Sequence, residues 1–390
     1  MRLTNKQEEG LKIALERYKN GEKYTVISGY AGSGKSTLVK HIVSAMELDE
    51  WDVVYTAFTG KATQVLQSKG NKNVKTLHKL LWEWRPQKNG GFFKIPKAIG
   101  ESVVIVDEVS MASKFLIDEL FNRPNIYIIC LGDPGQLPPI SVKDDNHLLD
   151  HPHVFLDEIM RQAAESEIIR LSMDIREGKP LSLFKGREVM ILDKSNLDMS
   201  MLQWADQVLC AKNDTRARLN REMREYLKYP EHPIDGDKVI CLKNYWENVS
   251  DCDSPLVNGT IGTIHNVYGT YVQYPPCYDN LRVSVMGADF CSDFGENYKT
   301  DIDTNYLMTE KPTFTQDLRY RISRNKNYSG TIPLEFAYGY AITCHKSQGS
   351  EWDKVLVVEE NFPFKPDEHK RWLYTACTRA AKRLVIIRKD

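Results

Sequence analysis

The sequence predicts an α/β protein of two units, each built on a parallel sheet. A small hairpin interrupts the first unit and a larger β-rich segment the second. Three observations predict this. Short β-branched runs, apolar on both faces, alternate with amphipathic stretches. That rhythm lapses in mid-chain and returns near the end. A glycine-rich loop sits between a strand-like and a helix-like segment, where a phosphate-binding loop belongs.

In order along the chain, Tyr24–Ser28, Val53–Ala57, Val103–Val106 and Ile126–Leu131 read as buried strands, with helical apolar spacing over Gln7–Lys19 and Thr37–Met46. A β-α-β rhythm implies a parallel sheet covered by helices on both faces. Within this unit Leu81–Gly100 carries Trp82, Trp84, Phe92 and Phe93 around the turn Asn89-Gly90-Gly91, a hairpin signal. Strands of a second sheet are expected at Val189–Leu192, Gln207–Cys210, Lys354–Val358 and Arg383–Ile387. The stretch Lys238–Thr331 is rich in Gly, Asn, Tyr and Asp, and its alternating segments Gly262–Val267 and Tyr271–Tyr274 predict a small β-rich insertion. The expected domains are 1–80 with 101–150, the hairpin 81–100, 151–237 with 332–390, and the insertion 238–331.

Composition narrows the class. A chain of 390 residues, 42% hydrophobic and 27% charged, suits two or three folded domains. It contains no apolar run of about 18 residues and no signal-like core at Met1–Gln7, so a cytoplasmic protein without a membrane span is expected. The 8 cysteines are scattered without a Cys-x-x-Cys pair, which argues against a zinc ribbon, an iron–sulfur cluster or a disulfide framework. A formal net charge of −1 is unlike a protein that coats DNA, but it leaves room for a local basic channel.

Gly29-Tyr-Ala-Gly32-Ser33-Gly34-Lys35-Ser36-Thr37 matches the P-loop pattern in full. Its glycines let backbone N–H groups wrap the phosphates of ATP, Lys35 reaches the β and γ phosphates, and the Ser36 hydroxyl ligates Mg²⁺. Val103–Val106 then delivers two acids, Asp107 to hold the Mg²⁺ shell and Glu108 to polarise an attacking water. Two acids after a strand are weak evidence alone and strong evidence beside a P-loop.

Further motifs carry a resemblance. Gly132-Asp-Pro-Gly-Gln136-Leu-Pro-Pro139, Ala341-Ile-Thr-Cys-His345-Lys-Ser-Gln348-Gly349-Ser-Glu351 and Leu373-Tyr-Thr-Ala-Cys-Thr-Arg379-Ala380 follow in order. The whole set, from Gln7 to Arg379, resembles superfamily 1 helicases of the RecD/Dda branch, with phage Dda helicases the nearest likeness. The resemblance implies two RecA-like P-loop domains in tandem, with a β-barrel-like insertion of Src-homology type in the second. It implies a DNA helicase moving 5′ to 3′ on single-stranded DNA. By resemblance Gln7 reads adenine, Gln136 senses the γ-phosphate, and Arg161 and Arg379 are arginine fingers. Such fingers meet the charge that builds on the γ-phosphoryl oxygens in the transition state. Glu351, with Gly349, lies near the nucleotide ribose or serves as a salt-bridge partner.

The track is assigned in the same way. Thr56, Phe58, Thr59 and Lys61 resemble one strand-contacting motif, Thr76-Leu77-His78 another, and Thr343 with His345 its counterpart in the second unit, while Pro138-Pro139 shapes the channel wall. Phe58 stacks on a base or packs inward. The hairpin is a pin that splits the duplex, with Phe92 or Phe93 at its tip, or a surface hairpin packed on its own base. The tail Arg319, Arg321, Arg324, Lys326 grips the strand, docks a partner or is a solvated face. Expected partners are single-stranded and tailed duplex DNA, and single-strand-binding, replication or recombination proteins, with a monomer as the working unit and the host cytoplasm as its place if a phage encodes it. The competing readings are a DNA-dependent ATPase that strips proteins without unwinding and an ATP-switched nucleic-acid-binding subunit.

Overall fold

The computed structural model describes residues 3–86, 92–138, 146–160, 165–245, 256–325, 327–361 and 365–389. The chain divides into two compact units, one of Met1–Leu81, Lys97–Arg216 and Ile342–Asp390, the other of Trp82–Pro96 and Ala217–Ala341. Both α/β sheets lie in the first unit.

The first sheet contains β1 (Tyr24–Gly29), β2 (Val53–Ala57), β3 (Val74–Thr76), β6 (Val103–Val106), β7 (Tyr127–Gly132) and β8 (Val154–Leu156), in the order β3-β2-β6-β7-β1-β8. Every pairing in it is parallel. Parallel pairing puts all the carboxyl ends on one edge, where ligands of open α/β sheets bind. Because β6, β7 and β1 are neighbours, Asp107-Glu108, Gly132–Gln136 and the P-loop emerge side by side. The β-branched faces of β1, β6 and β7 bury Ile27, Val103, Ile105 and Ile129 against Leu38 and Ile42 of the helix Lys35–Ala45. β8 extends this sheet just beyond the expected boundary at 150.

The hairpin pairs β4 (Trp82–Pro86) with β5 (Phe92–Pro96), antiparallel, with Trp82 opposite Pro96. Lys94 sits over the Trp82 ring at 4.3 Å. Phe92 and Phe93 open β5, but their side chains and the turn at 87–91 lie outside the described residues.

The second sheet has the order β17-β11-β18-β19-β10-β9, built from β9 (Phe184–Lys185), β10 (Val189–Asp193), β11 (Gln207–Cys210), β17 (Ala341–Thr343), β18 (Trp352–Val358) and β19 (Ala380–Arg388). β11, β18, β19 and β10 pair in parallel, and β9 closes the edge antiparallel. The helix Pro366–Cys377 crosses between β18 and β19 and buries Trp372, Leu373 and Tyr374. The four strands expected here are present.

The β-rich segment is a five-stranded sheet, β15-β14-β13-β12-β16, from β12 (Lys238–Cys241), β13 (Ile261–Gln273), β14 (Arg282–Ser292), β15 (Asn297–Asp303) and β16 (Phe336–Tyr338). It continues past the expected 331, since β16 pairs with β12. One core gathers Val239, Ile264, Phe290, Tyr298 and Phe336. A second gathers Tyr274, Tyr278, Val283, Phe314 and Leu318 beneath the long β13–β14 ribbon. The basic tail is partly neutralised within this unit: Arg319 pairs with Glu335, Arg321 with Asp317, and Arg324 donates to the Tyr320 hydroxyl.

Candidate nucleotide site and strand-contacting residues

The P-loop leaves β1 at Gly29 and turns into the helix Lys35–Ala45 through Gly32 (φ +77°) and Gly34 (φ +81°), a left-handed backbone that favours glycine. Gly34 has a second reason to be glycine. A Cβ there would lie 2.4 Å from Gln7 Nε2 and 2.6 Å from Met160 Sδ. Gln7 is buried, its Nε2 donates to the Ser33 carbonyl at 3.2 Å, and its Oε1 accepts from the Thr4 N–H at 3.0 Å. Thr4 in turn caps the helix Asn5–Lys19, so this capping box aims Gln7 at the P-loop. Lys35 Nζ donates to the carbonyls of Gly29 at 2.7 Å and Tyr30 at 3.0 Å, which keeps its charge inside the loop.

Asp107 and Glu108 follow β6. Burial and the neighbouring Glu108 charge push the Asp107 carboxyl up to about 6, against the pull of Lys35. Glu108 has a left-handed backbone, φ +52°, a strained state for a residue with a Cβ that costs on the order of 1–3 kcal/mol and is typical of functional sites. The turn points its carboxylate at Arg379, whose Nη1 lies 4.0 Å away. With its nitrogen facing Glu108 and its oxygen facing Arg379, the Gln136 amide donates to Glu108 Oε2 at 3.1 Å and accepts from Arg379 Nη2 at 3.3 Å. Three residues singled out from the sequence thus meet across the two sheets. Arg379 is buried, and its Nε and Nη1 donate to the carbonyls of Thr375 and Ser350. Arg161 lies outside the described residues. Glu351 is exposed beside Trp352.

Ser36 and Asp107 line one cavity of about 410 Å³ with Thr37, Lys40 and Lys69. A hydroxyl and a carboxylate are oxygen donors that suit Mg²⁺, which keeps several waters and binds partly through substrate phosphates. Among the described residues no cluster of three or more His, Cys, Asp or Glu could cage a metal by itself. Ser36 and Asp107 would hold the ion, and it would neutralise charge on the phosphates.

The strand-contacting candidates are brought together unevenly. Thr56 is a correction: it is fully buried, and its hydroxyl donates to the Ile105 carbonyl at 2.8 Å, so it belongs to the sheet interior and faces no phosphate. Thr59 caps the helix Gly60–Ser68 by accepting from the Ala62 N–H. The rings of Phe58 and His78 lie 5.8 Å apart. Lys61 is buried with its Nζ 4.2 Å from the centroid of the Trp352 ring. Gly349 (φ +72°) comes close enough to this helix that a Cβ would meet Ala62 Cβ at 2.8 Å. Thr343 is buried at the start of the helix Cys344–Ser347, and His345 is half-buried there, its pKa lowered by burial. Pro138 is half-buried, and Pro139 lies outside the described residues.

This geometry can be set beside known proteins. A family model of the AAA domain matches residues 2–191, and one of the UvrD-like helicase C-terminal domain matches residues 338–387. The ATP-dependent RecD2 DNA helicase of Deinococcus radiodurans is 26% identical, over 93% of this chain and 46% of its own length. The ATP-dependent DNA helicase dda of Enterobacteria phage T4 is 29% identical, over 45% of this chain and 43% of its own. These matches bear out the resemblance to superfamily 1 helicases of the RecD/Dda branch. The matches span less than half the length of the RecD2 and Dda proteins. The crystal structure of Pif1 helicase from Candida albicans shares the fold, with a TM-score of 0.52 at 19% identity over 100% of this chain and 95% of that one.

Sequence reasoning passed over residues that join the motifs. The Tyr374 hydroxyl accepts from the Ala31 N–H at 2.9 Å and donates to Asp133 Oδ2 at 2.6 Å. Thr375 Oγ1 accepts from the Leu137 N–H, and Gln348 Nε2 donates to the Leu137 carbonyl. Arg176 places its guanidinium 3.5 Å from the centroid of the Tyr30 ring in the P-loop. Tyr374, Asp133 and Gln348 were visible inside quoted motifs, but only the fold shows what each one touches.

Proposed function

We propose that this chain is an ATP-driven DNA helicase that translocates 5′ to 3′ on single-stranded DNA and unwinds duplex. It hydrolyses ATP with Mg²⁺ between its two RecA-like sheets, working as a monomer in the cytoplasm. The observation that carries this reading is the Glu108–Gln136–Arg379 constellation beside a complete P-loop. One sheet supplies the acid that polarises water and the amide that feels the γ-phosphate, and the other supplies the guanidinium. Hydrolysis therefore depends on how the two sheets meet, which is what a motor needs in order to turn bond cleavage into motion. Phe58 and His78 on one side, and Thr343 and His345 on the other, are proposed to grip the strand, with Lys61 and Trp352 between them. The hairpin is proposed as the pin. Support for DNA as the track comes from the relatives, both of them DNA helicases by name. Among the described residues no helix is long and apolar enough to cross a membrane. Tailed DNA, single-strand-binding proteins and the proteins of replication, recombination and repair are the partners this reading implies.

The test is unwinding of two duplexes with ATP and Mg²⁺, one with a 5′ single-stranded tail and one with a 3′ tail, with Lys35→Ala as the inactive control. Opening of the 5′-tailed duplex alone is expected. Opening of the 3′-tailed one alone would reverse the polarity. Strand-stimulated hydrolysis without unwinding of either would leave a translocase.

A further inference from the structure

One peptide plane in the P-loop is held from both sides. Lys35 Nζ donates to the Tyr30 carbonyl at 3.0 Å, and the Ala31 N–H of the same peptide donates to the Tyr374 hydroxyl at 2.9 Å. A peptide group is planar, so turning its carbonyl necessarily swings its N–H. The Tyr374 hydroxyl passes the contact on to Asp133 Oδ2 at 2.6 Å, and Asp133 Oδ1 accepts from the Gly135 N–H at 2.8 Å, directly before Gln136. Tyr374 also lies in the last turn of the helix Pro366–Cys377, five residues before Arg379. Its ring supports the same loop, since a Cβ on Gly135 would lie 3.0 Å from Tyr374 Cε1. Tyr374 and Asp133 are both 1% exposed, so water cannot replace either partner.

We propose that Tyr374 is a positioning residue that reads the Tyr30–Ala31 peptide plane and couples filling of the P-loop to the placement of Gln136 and Arg379. When Lys35 turns from the Tyr30 carbonyl to a phosphate, that plane loses its hold on one side. The change reaches the Tyr374 hydroxyl and, through Asp133, the loop that carries Gln136. Tyr374 itself touches neither the phosphates nor the attacking water. It decides whether the second sheet's guanidinium and the first sheet's amide are aligned when ATP is present. The inference rests on the reading of the chain as a strand-stimulated ATPase.

The experiment measures steady-state ATP hydrolysis by the full chain with and without oligothymidylate, in wild type, Tyr374→Phe, Asp133→Asn and the double variant. Tyr374→Phe keeps the ring and removes both hydrogen bonds. The expected result is a roughly ten- to hundredfold lower kcat, with the KM for ATP and the affinity for oligothymidylate each within about threefold of wild type. The double variant should be no slower than the slower single one, because the two residues act in one chain. Trp372→Phe, two residues away and equally buried, controls for packing. A kcat within twofold of wild type in Tyr374→Phe would overturn the proposal. So would additive losses, or an equal kcat loss in Trp372→Phe. Wild-type protein without strand-stimulated hydrolysis would sink the functional reading together with the relay, whereas normal wild-type turnover with an unaffected Tyr374→Phe sinks the relay alone.

Discussion

Thr56 and Lys61 show what a motif conveys at the scale of a single residue. Both stand in one strand-contacting pattern, yet the alternation of β2 turns Thr56 inward to the Ile105 carbonyl, and the helix Gly60–Ser68 lays Lys61 over Trp352. Residue type and spacing told which chemistry is gathered in the region; they did not tell which way each side chain turns, because that depends on partners far off in sequence. The P-loop was more legible, since its chemistry resides in backbone conformation that glycine positions encode directly. The inward placement of Thr56 makes a prediction opposite to the motif-based expectation. Thr56→Val keeps the shape and removes the hydroxyl, so affinity for oligothymidylate, read by fluorescence anisotropy, should stay within about twofold. Stability should fall by about 0.5–1.5 kcal/mol, the worth of one buried hydrogen bond. Loss of strand affinity without loss of stability would return Thr56 to the track.

At the scale of elements, long buried strands were readable and short or interrupted ones were not. β8 is three residues and β9 two, too brief for any periodicity. β13 reads as two strands because Asn266 adopts φ +52° at a bulge between His265 and Tyr268. There the N–H groups of Asn266 and Val267 donate to the Asp235 carboxylate instead of the ladder. β8 is anchored by similar means. His153 Nδ1 accepts from the Val26 N–H at 2.9 Å, and the His153 N–H donates to the Val26 carbonyl at 3.0 Å. Burial, and then the Arg17 charge, lower the His153 pKa, so the folded state holds a neutral ring whose Nδ1 is the acceptor. The unfolded chain binds a proton below the ordinary histidine value of about 6.5, and the folded one resists it. This contribution to stability is therefore complete above that pH and is lost as pH falls through it. The midpoint of the transition that melts the first unit should drop between pH 7.5 and 5.5, with His153 responsible for about 2–4 °C, the effect of one hydrogen bond. His153→Asn offers an acceptor that does not titrate, and it should flatten that part of the slope. An unchanged slope would assign the pH dependence to other groups.

For the whole molecule, the division into two units has a thermodynamic consequence. The first unit has its own core around Ile27, Leu38, Ile105 and Ile129, and the second has separate cores around Phe290 and Tyr274. Chains with independent cores need not melt in one step. The second unit also contains a buried ion pair that the first does not share. Arg224 Nε and Nη2 meet the two Asp237 oxygens at 2.9 and 3.1 Å, with side chains 8% and 0% exposed. Arg224 further donates to the Glu231 and His232 carbonyls, and Asp237 accepts from the Ile234 N–H and the Tyr340 hydroxyl. A bidentate pair with its remaining valences filled fixes the entry to β12, but it is vulnerable to loss of either partner. Asp237→Ala would leave the guanidinium buried without its counterion, at a cost of about 3–5 kcal/mol. Calorimetry of the wild type should show two transitions, and Asp237→Ala should lower one while leaving the other in place. ATP with Mg²⁺, whose proposed site lies in the first unit, should raise the transition that Asp237→Ala does not move. A single transition that shifts as a whole in the variant would mean that the two units fold as one cooperative body despite their separate cores.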